Sequence, residues 1–417
     1  MGQAAMLGAC PTKSWTWRDS SFHQSNGVAL AKRNIAMTEH VTALAGADNS
    51  GTSADVDCLA VTARKPPIGQ LGFSLSFFAN DDQQSRGPAA YRLLREASEY
   101  GDRNGYEAVW LPERHFHTFG GHFPNPAVVA ASLATITSRI GLRAGSVVAP
   151  LHHPVRIAEE WAVVDNLSGG RIGLSFASGW NVNDFILAPT PFELRRETTN
   201  QAIETVRRLW RGEETSFGHD GGPRAVTSFP RPFQSDLPVW LTTSGRVEGF
   251  EAAGHLGANV LTHLRGQELD DLPEKIARYR KTRQEHGHAG PGHITLMMHT
   301  YFHESRARAL ADIQGPLQSY LGSSLDLTQA STRRAAVTRT TSKNAERLRE
   351  AMLANACERY MGESGLFGTP SEGIEVAERL AKAGVDEIAC LVDFGIEHAK
   401  VMRSLELLTE VKNHFRH

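Results

Sequence analysis

The chain has 417 residues, of which 41% are hydrophobic, and its 44 Lys and Arg residues nearly balance 46 Asp and Glu residues. A formal net charge of −2 argues against binding to nucleic acid or to an anionic membrane surface. No apolar run approaches the roughly 18 to 20 residues of a membrane-spanning helix. The four cysteines are widely separated and form no CxxC pair. This distribution favours a reducing cytoplasm and argues against a cysteine zinc site.

The first part of the chain predicts a leader. Residues 1–66 are rich in small and polar residues, show little periodicity and end in the segment "KPPIG". Such a composition is typical of poorly ordered chain. A charged segment followed by an apolar one, as in a secretory signal, is missing from the start, so we expect a cytoplasmic protein. Residues 67–417 are predicted to form one domain.

From Leu71 onward, apolar runs typical of buried strands alternate with amphipathic helical patterns. This alternation predicts a parallel sheet with crossover helices, and eight such units over this length predict an α/β fold of the (β/α)8 TIM-barrel type. Two long excursions, at about 213–236 and about 315–365, are typical of lids or binding loops. The predicted strands begin near Leu71, Tyr106, Ile140, Arg171, Leu237, Ala258, His293 and Val385.

A cluster of polar residues follows the second predicted strand, in the segment "VWLPERHFHTFGGHFPNP". In barrels of this kind, active sites lie at the carboxyl ends of the strands. The position therefore favours a catalytic or binding role over an inert surface loop. The segment contains Glu113, Arg114, His115, His117 and His122.

One interpretation of the cluster is a metal site in a metal-dependent hydrolase. His115 and His117 form a His-x-His pair, and neutral imidazoles bind Zn, Ni or Fe. A barrel hydrolase would place this pair after its first strand, where the sequence instead has "FFANDD". HExxH motifs and cysteine ligand sets are also missing. We therefore assign no metal ligands.

A second interpretation is a site for a phosphorylated, planar cofactor. The segment "TTSGRVEGF" predicts a strand end, a turn and a helix start, where free N–H groups and the helix dipole favour a phosphate. Its Ser244, Gly245 and Arg246 are candidate ligands, although a simple helix cap would have the same pattern. The sequence has neither a GxGxxG after the first strand nor a P-loop, which argues against those nucleotide-binding folds.

Two further strand ends carry residues suited to such a cofactor. Close backbone approach and ring contacts are plausible after the fourth strand, although a tight turn with a core tryptophan would also fit. A bulge is plausible late in the third strand. A barrel acting only as a scaffold would show no such convergence of polar loops. The residues concerned are Ser178, Gly179, Trp180 and Asn181 in "FASGWNVNDF", and Gly145 and Ser146 in "AGSVVAP".

Taken together, the segments resemble the bacterial luciferase-like flavin monooxygenases. The resemblance runs from about residue 69 to 305, resumes near 366, and keeps the order and spacing of the motifs. It includes "WLPERHFHTFGGHFPNPAVVAASLAT", "APLHHPVRIAEEWAVVDNLSGGRIGLSFASGWNVNDF", "LPVWLTTSG" and "GANVLTHL". The versions "ERHFHTFGG" and "SGWNVNDF" resemble most the FMN-dependent, mupirocin-type branch found in natural-product biosynthesis.

The resemblance implies a luciferase-like TIM barrel that takes reduced FMN from a separate flavin reductase. It would use O2 to oxygenate a small molecule or a substrate bound to a carrier protein. It also implies a homodimer and a role in secondary metabolism. Deazaflavin F420, which some relatives use for hydride transfer, is the alternative cofactor, and a catalytically silent flavin-binding relative is another possibility.

The resemblance also implies residue roles. Gly145–Ser146 would be a non-prolyl cis peptide beneath the flavin ring. His115 and its neighbours would line the substrate side. The ribityl and phosphate groups would be held by Ser178, Gly179, Ser244, Gly245 and Arg246.

The sequence departs from the luciferases at one position. Luciferases carry adjacent histidines after the glutamate, whereas here Arg114 takes the first position and His115 the second. An arginine cannot act as a base near neutral pH. It could anchor a carboxylate, a phosphate or the flavin peroxide anion. His115 and His117 remain the acid–base candidates.

Overall fold

The computed structural model describes residues 71–78, 86–188, 190–218, 220–332 and 343–415. The predicted leader at 1–66 lies outside these residues. The strands are β1 (Gly72–Phe77), β2 (Ala108–Leu111), β3 (Gly141–Val148), β4 (Ile172–Ala177), β5 (Thr215–Phe217), β6 (Arg224–Val226), β7 (Val239–Thr242), β8 (Asn259–His263), β9 (Ile294–Phe302), β10 (Leu366–Gly368) and β11 (Glu387–Asp393).

Helices follow most of the strands. They are α1 (Arg92–Asn104), α2 (Pro126–Ala134), α3 (Pro154–Ser168), α4 (Arg195–Arg211), α5 (Val247–His255), α6 (Leu272–Glu285), α7 (Arg306–Thr332), α8 (Lys343–Arg359), α9 (Pro370–Lys382) and α10 (His398–His414). Local sequence fixes their ends. The side chain of Asn125 accepts the N–H groups of Ala127 and Val128 at the start of α2. Gly105, at φ 67°, ends α1 in the left-handed region that favours glycine.

Eight strands close into a parallel barrel in the order β1-β2-β3-β4-β7-β8-β9-β11, with β11 pairing back to β1. The predicted TIM-barrel fold is therefore confirmed. Each barrel strand begins within two residues of its predicted start. Strands buried on both faces read as continuous apolar runs, which is why their positions were visible in the sequence.

A buried ionic cluster fills the amino-terminal end of the barrel. Glu387 accepts hydrogen bonds from Arg143 at 2.7 Å, His293 at 2.9 Å and the Trp110 indole at 2.9 Å. The Arg143 guanidinium lies 5.1 Å from the Trp110 ring and 4.7 Å from the Trp240 ring. Burial opposes ionisation of Glu387, but Arg143 and His293 outweigh it and hold its pKa well below the usual range. This cluster, the floor of the barrel, closes the amino-terminal end, so a ligand can enter only at the opposite, carboxyl-terminal end.

The two excursions form structure that the sequence patterns did not indicate. The first contains the antiparallel hairpin β5–β6. The second excursion contains two helices: α7, which continues through Pro316, and α8, which follows it. A proline inside a helix removes a hydrogen bond and usually predicts a break. The ring of Tyr320 on α7 lies 4.9 Å from that of Phe119 and 4.8 Å from that of His299, so the insertion covers part of the barrel mouth.

None of the helices that the structure describes is both long and apolar enough to cross a membrane.

Candidate active site

Glu113 is the centre of the site at the carboxyl end of β2. Its Oε1 accepts hydrogen bonds from Nε2 of His115 at 2.8 Å and Nε2 of His152 at 2.7 Å, and its Oε2 accepts the Val148 N–H at 2.8 Å. Burial raises the pKa of Glu113, but these hydrogen bonds outweigh burial and lower it overall. The carboxylate therefore stays ionised and orients both imidazoles. It also raises the pKa of His152 despite the burial of that ring.

Glu113 leaves one nitrogen of His115 available. With Nε2 bound to the carboxylate, no residue in the described ranges hydrogen-bonds to Nδ1 of His115. A carboxylate behind an imidazole fixes its tautomer and its orientation. His115 is thereby suited to take or give a proton at Nδ1. His117, the other acid–base candidate, is separate from this group, because its Nδ1 accepts the Phe119 N–H at 3.0 Å within the same loop.

Arg114 lies between two aromatic rings. Its guanidinium carbon is 4.9 Å from the centre of the Phe78 ring and 5.1 Å from that of the Trp180 ring. Its Nε is buried and has no hydrogen-bond partner among the described residues. The loop fits closely around it, because a Cβ on Gly120 would lie 2.7 Å from Cγ of Arg114. Gly120 also has a φ of +74°, so two constraints favour glycine there.

The Gly145–Ser146 peptide on β3 is cis, as the resemblance implied. Ser146 and Ser175 both share a hydrogen bond with the hydroxyl of Thr242, the second at 2.7 Å, so three neighbouring strands are linked at the rim. A Cβ on Gly145 would lie 3.1 Å from the Trp110 ring, so a larger residue would require that ring to shift.

The residues of the loop after β4 that were predicted to bind the cofactor lie in two places. Some lie at the barrel mouth, and others are buried within the loop itself. Trp180 is 40% exposed and covers Arg114. Asn181 is buried, accepts the Asn183 N–H and donates to Asp184 at 2.6 Å. Its amide is therefore engaged within the loop. Gly179, next to Ser178, has a φ of +76° and lies against Val148 and Phe185.

The segment after β7 places Ser244 and Arg246 on the surface at the start of α5. Arg246 is the N-cap residue, and no side chain caps the helix. Gly245, at φ +88°, is buried against Gln267. Free N–H groups, a helix dipole and an arginine are the features that suit a phosphate. The donors present at this end therefore fit a phosphorylated cofactor.

Sequence reasoning assigned no role to four residues at the same end of the barrel. His152 and Asp184 follow strand ends, where the placement rule for barrels locates the active site. His299 lies within an apolar strand and Tyr320 within a helix that was not predicted, so neither gave a signal. His299 is buried with an unpartnered Nε2, and burial lowers its pKa to about 3, which keeps the ring neutral.

Asp184 gives a prediction for the pH dependence of stability. Burial raises its pKa to about 6, against the opposing charges of His115 and Arg114. The folded protein thus binds this proton more tightly than the unfolded chain, whose Asp pKa is about 4, and stability is lost as the pH rises from about 4 to about 6. We expect Asp184→Asn to gain about 3 kcal/mol over the wild type across this window, with no further gain above it.

Urea unfolding of both proteins at several pH values measures this difference. A difference that stays constant from about pH 4 to about pH 7 would contradict the raised pKa.

Among the described residues, no group of three or more His, Cys, Asp or Glu side chains is arranged to hold a metal ion. Glu113, His115 and His152 are held together by hydrogen bonds instead.

Comparison with known proteins identifies the family. The family model for luciferase-like monooxygenases matches residues 71–387. The oxygenase component of the flavin-dependent trigonelline monooxygenase of Acinetobacter baylyi is 24% identical over 359 residues, which cover 79% of this chain and 91% of that protein.

Two solved structures share the fold. The oxygenating constituent of 3,6-diketocamphane monooxygenase from Pseudomonas putida, in complex with FMN, aligns with a TM-score of 0.65 at 14% identity, covering 83% of this chain and 98% of that one. An F420-dependent secondary alcohol dehydrogenase aligns with a TM-score of 0.62 at 14% identity, covering 84% and 100%. These likenesses show the fold alone. The match over residues 71–387 shows that the chain belongs to the luciferase-like monooxygenase family of oxidoreductases.

Proposed function

We propose that this protein is the FMN-dependent oxygenase of a two-component system. It would take reduced FMN from a separate flavin reductase and use O2 to oxygenate an organic substrate, free or carried by a protein. One observation carries the proposal. The uncapped start of α5, the Gly145–Ser146 edge and the Glu113-bound His115 all lie at one end of the same barrel.

The cofactor would lie across this end. The first turn of α5, Ser244 and Arg246 would hold its phosphate, and Ser178 with Gly179 the ribityl chain. The Gly145–Ser146 backbone would support the ring. Reduced FMN supplies the electrons that activate O2, while the protein supplies binding, orientation and electrostatics.

The protein's own groups would then manage protons and water. His115 can hold or give a proton at Nδ1 while Glu113 compensates its charge, and such positioned acid–base groups contribute roughly 100- to 10,000-fold in rate. His152 shares the carboxylate and keeps it ionised. Tyr320 on α7 covers part of the mouth, and this cover would exclude water and so strengthen electrostatic interactions within the site.

Three finer points belong to the same proposal. The natural-product role rests on the segments "ERHFHTFGG" and "SGWNVNDF". Placement in the cytoplasm and a homodimeric state stay predictions. The choice of FMN over F420 also rests on the sequence resemblance, since both cofactors occur on this fold.

A carboxylate at the proposed phosphate site tests the placement of the cofactor. We expect Ser244→Asp to weaken the binding of reduced FMN roughly 10-fold or more, because the new charge lies where the phosphate would bind. Ser244→Ala is the matched control and should change the affinity only a few-fold, since it removes one neutral hydrogen bond. Anaerobic fluorescence titration measures both affinities. Equal affinities of the wild type and Ser244→Asp would refute the assignment of this end to the phosphate.

A further inference from the structure

Arg114 is a half-buried cation with an unused hydrogen-bond donor. Its Nε is buried without a partner, and within the described part of the chain the guanidinium forms no ion pair. Phe78 and Trp180 lie within cation–π distance of it, at 4.9 and 5.1 Å. A guanidinium N–H that is removed from water without a hydrogen-bond acceptor is costly, so native proteins usually complete such a site with a partner.

The two nearest carboxylates are not that partner. Glu113 already accepts three hydrogen bonds, from two imidazoles and a backbone N–H. Asp184 accepts the Asn181 amide and lies close enough to Arg114 to feel its charge, but it makes no hydrogen bond to the guanidinium. Both carboxylates are therefore committed elsewhere, and Arg114 still lacks a hydrogen-bonded anion.

Two of the groups beyond Arg114 are neutral, and a third, Asp393, is a carboxylate near Tyr320. Burial raises the pKa of Tyr320, so its phenol stays neutral, and burial keeps His299 neutral as well. Arg265 contributes a further positive charge near Arg114. The unpaired Nε and this second cation together favour an anionic ligand beside Arg114. The geometry of a guanidinium suits a planar acceptor with two oxygens, which is a carboxylate.

We infer that Arg114 binds a carboxylate of the organic substrate, whose adjoining part lies beside the half-exposed ring of Trp180. The inference rests on the proposed function in assigning the ligand to the substrate. It narrows the substrate class to organic acids, presented next to His115, which follows Arg114 in the same loop. An arginine in the first of the two positions where luciferases have histidines would thus serve recognition, not proton transfer.

The cofactor phosphate is a weaker explanation for the same feature. Arg114 follows β2, whereas the uncapped helix α5 follows β7, and β3 and β4 separate these strands around the barrel. The Gly145–Ser146 edge lies between the two ends. A flavin with its phosphate at α5 and its ring over this edge would have no second phosphate for Arg114.

Ligand binding to the full-length protein tests the inference. Acetate, benzoate and cinnamate are titrated calorimetrically beside their uncharged amides, with and without reduced FMN under anaerobic conditions. We expect at least one acid to bind roughly 10-fold more tightly than its amide, as one charge-assisted pair allows. Arg114→Gln should remove this preference and Arg114→Lys should keep part of it. Arg156→Gln, which changes an exposed arginine on α3, should keep all of it.

Equal binding of every acid and its amide, or a preference that survives Arg114→Gln, would overturn the inference. Loss of reduced-FMN binding in Arg114→Gln would overturn it too, because Arg114 would then serve the cofactor. Failure of the wild type to bind reduced FMN, with an acid preference that still depends on Arg114, would instead refute the proposed function alone.

A stability measurement separates recognition from a structural role. If Arg114 is kept for a ligand, Arg114→Met removes a half-buried guanidinium with an unpaired Nε, and its Tm without ligand should equal or exceed that of the wild type. Benzoate, or whichever acid binds, should raise the Tm of the wild type only. A Tm that falls by roughly 5 °C or more in Arg114→Met would show that the cation supports the fold and would contradict the inference.

Discussion

Replacement of His115 by alanine is expected to lower product formation roughly 100-fold or more while the affinity for reduced FMN stays within about threefold of the wild type. The reason is geometric. Nε2 of His115 is bound to a buried, ionised Glu113, whereas its Nδ1 has no partner among the described residues. The substitution removes the oriented proton donor and leaves the proposed phosphate and ring contacts in place.

His117→Ala is the matched control, because His117 lies two residues further along the same loop and does not hydrogen-bond to Glu113. We expect it to keep most of the activity. Product formation is followed by mass spectrometry as the O2-dependent gain of one oxygen atom by an accepted substrate. Full turnover in His115→Ala, or equal losses in both variants, would remove His115 from the mechanism.

The second large effect concerns stability. Glu387→Ala is expected to cost about 3–5 kcal/mol, because it leaves Arg143 without its carboxylate partner inside the barrel and removes that of His293. Urea unfolding gives the free-energy difference from the transition midpoints. The free energy of unfolding of Glu387→Gln should lie between those of the wild type and Glu387→Ala, since an amide keeps some hydrogen bonds and loses the charge. A loss below about 1 kcal/mol for Glu387→Ala would show that the floor of the barrel tolerates an unpaired arginine.

The barrel could be predicted from the sequence because its strands are short and apolar and alternate with helical patterns. The segments around Tyr106 and Ile140, for example, lead directly into β2 and β3. The helical insertion could not be predicted in the same way. Pro316 and two nearby glycines, Gly315 and Gly322, are typical of breaks, yet α7 passes through all three. Tertiary contacts of Tyr320 with Phe119 and His299 compensate for the poor local propensity.

The site was predictable only where its residues follow strand ends. Arg114 and His115 could be named as candidates because a polar run after a barrel strand lies on the face where active sites of barrels occur. The sequence did not reveal that Glu113 binds both His115 and His152. A helix and a strand separate Glu113 from His152 along the chain, so the two meet only in the closed barrel. Nor did it show that Asn181 turns inward to Asp184, because a loop's hydrogen bonds depend on its folded path.

The central claim is that this member of the luciferase-like monooxygenase family uses reduced FMN. The most direct test is an anaerobic titration of the full-length protein with photoreduced FMN and, in parallel, with reduced F420, followed by the admission of O2. We expect saturable binding of reduced FMN, at least roughly 10-fold tighter than that of reduced F420, and O2-dependent oxidation of the bound flavin. Tight binding of reduced F420 with none of reduced FMN would contradict the claim and indicate an F420-dependent hydride-transfer enzyme.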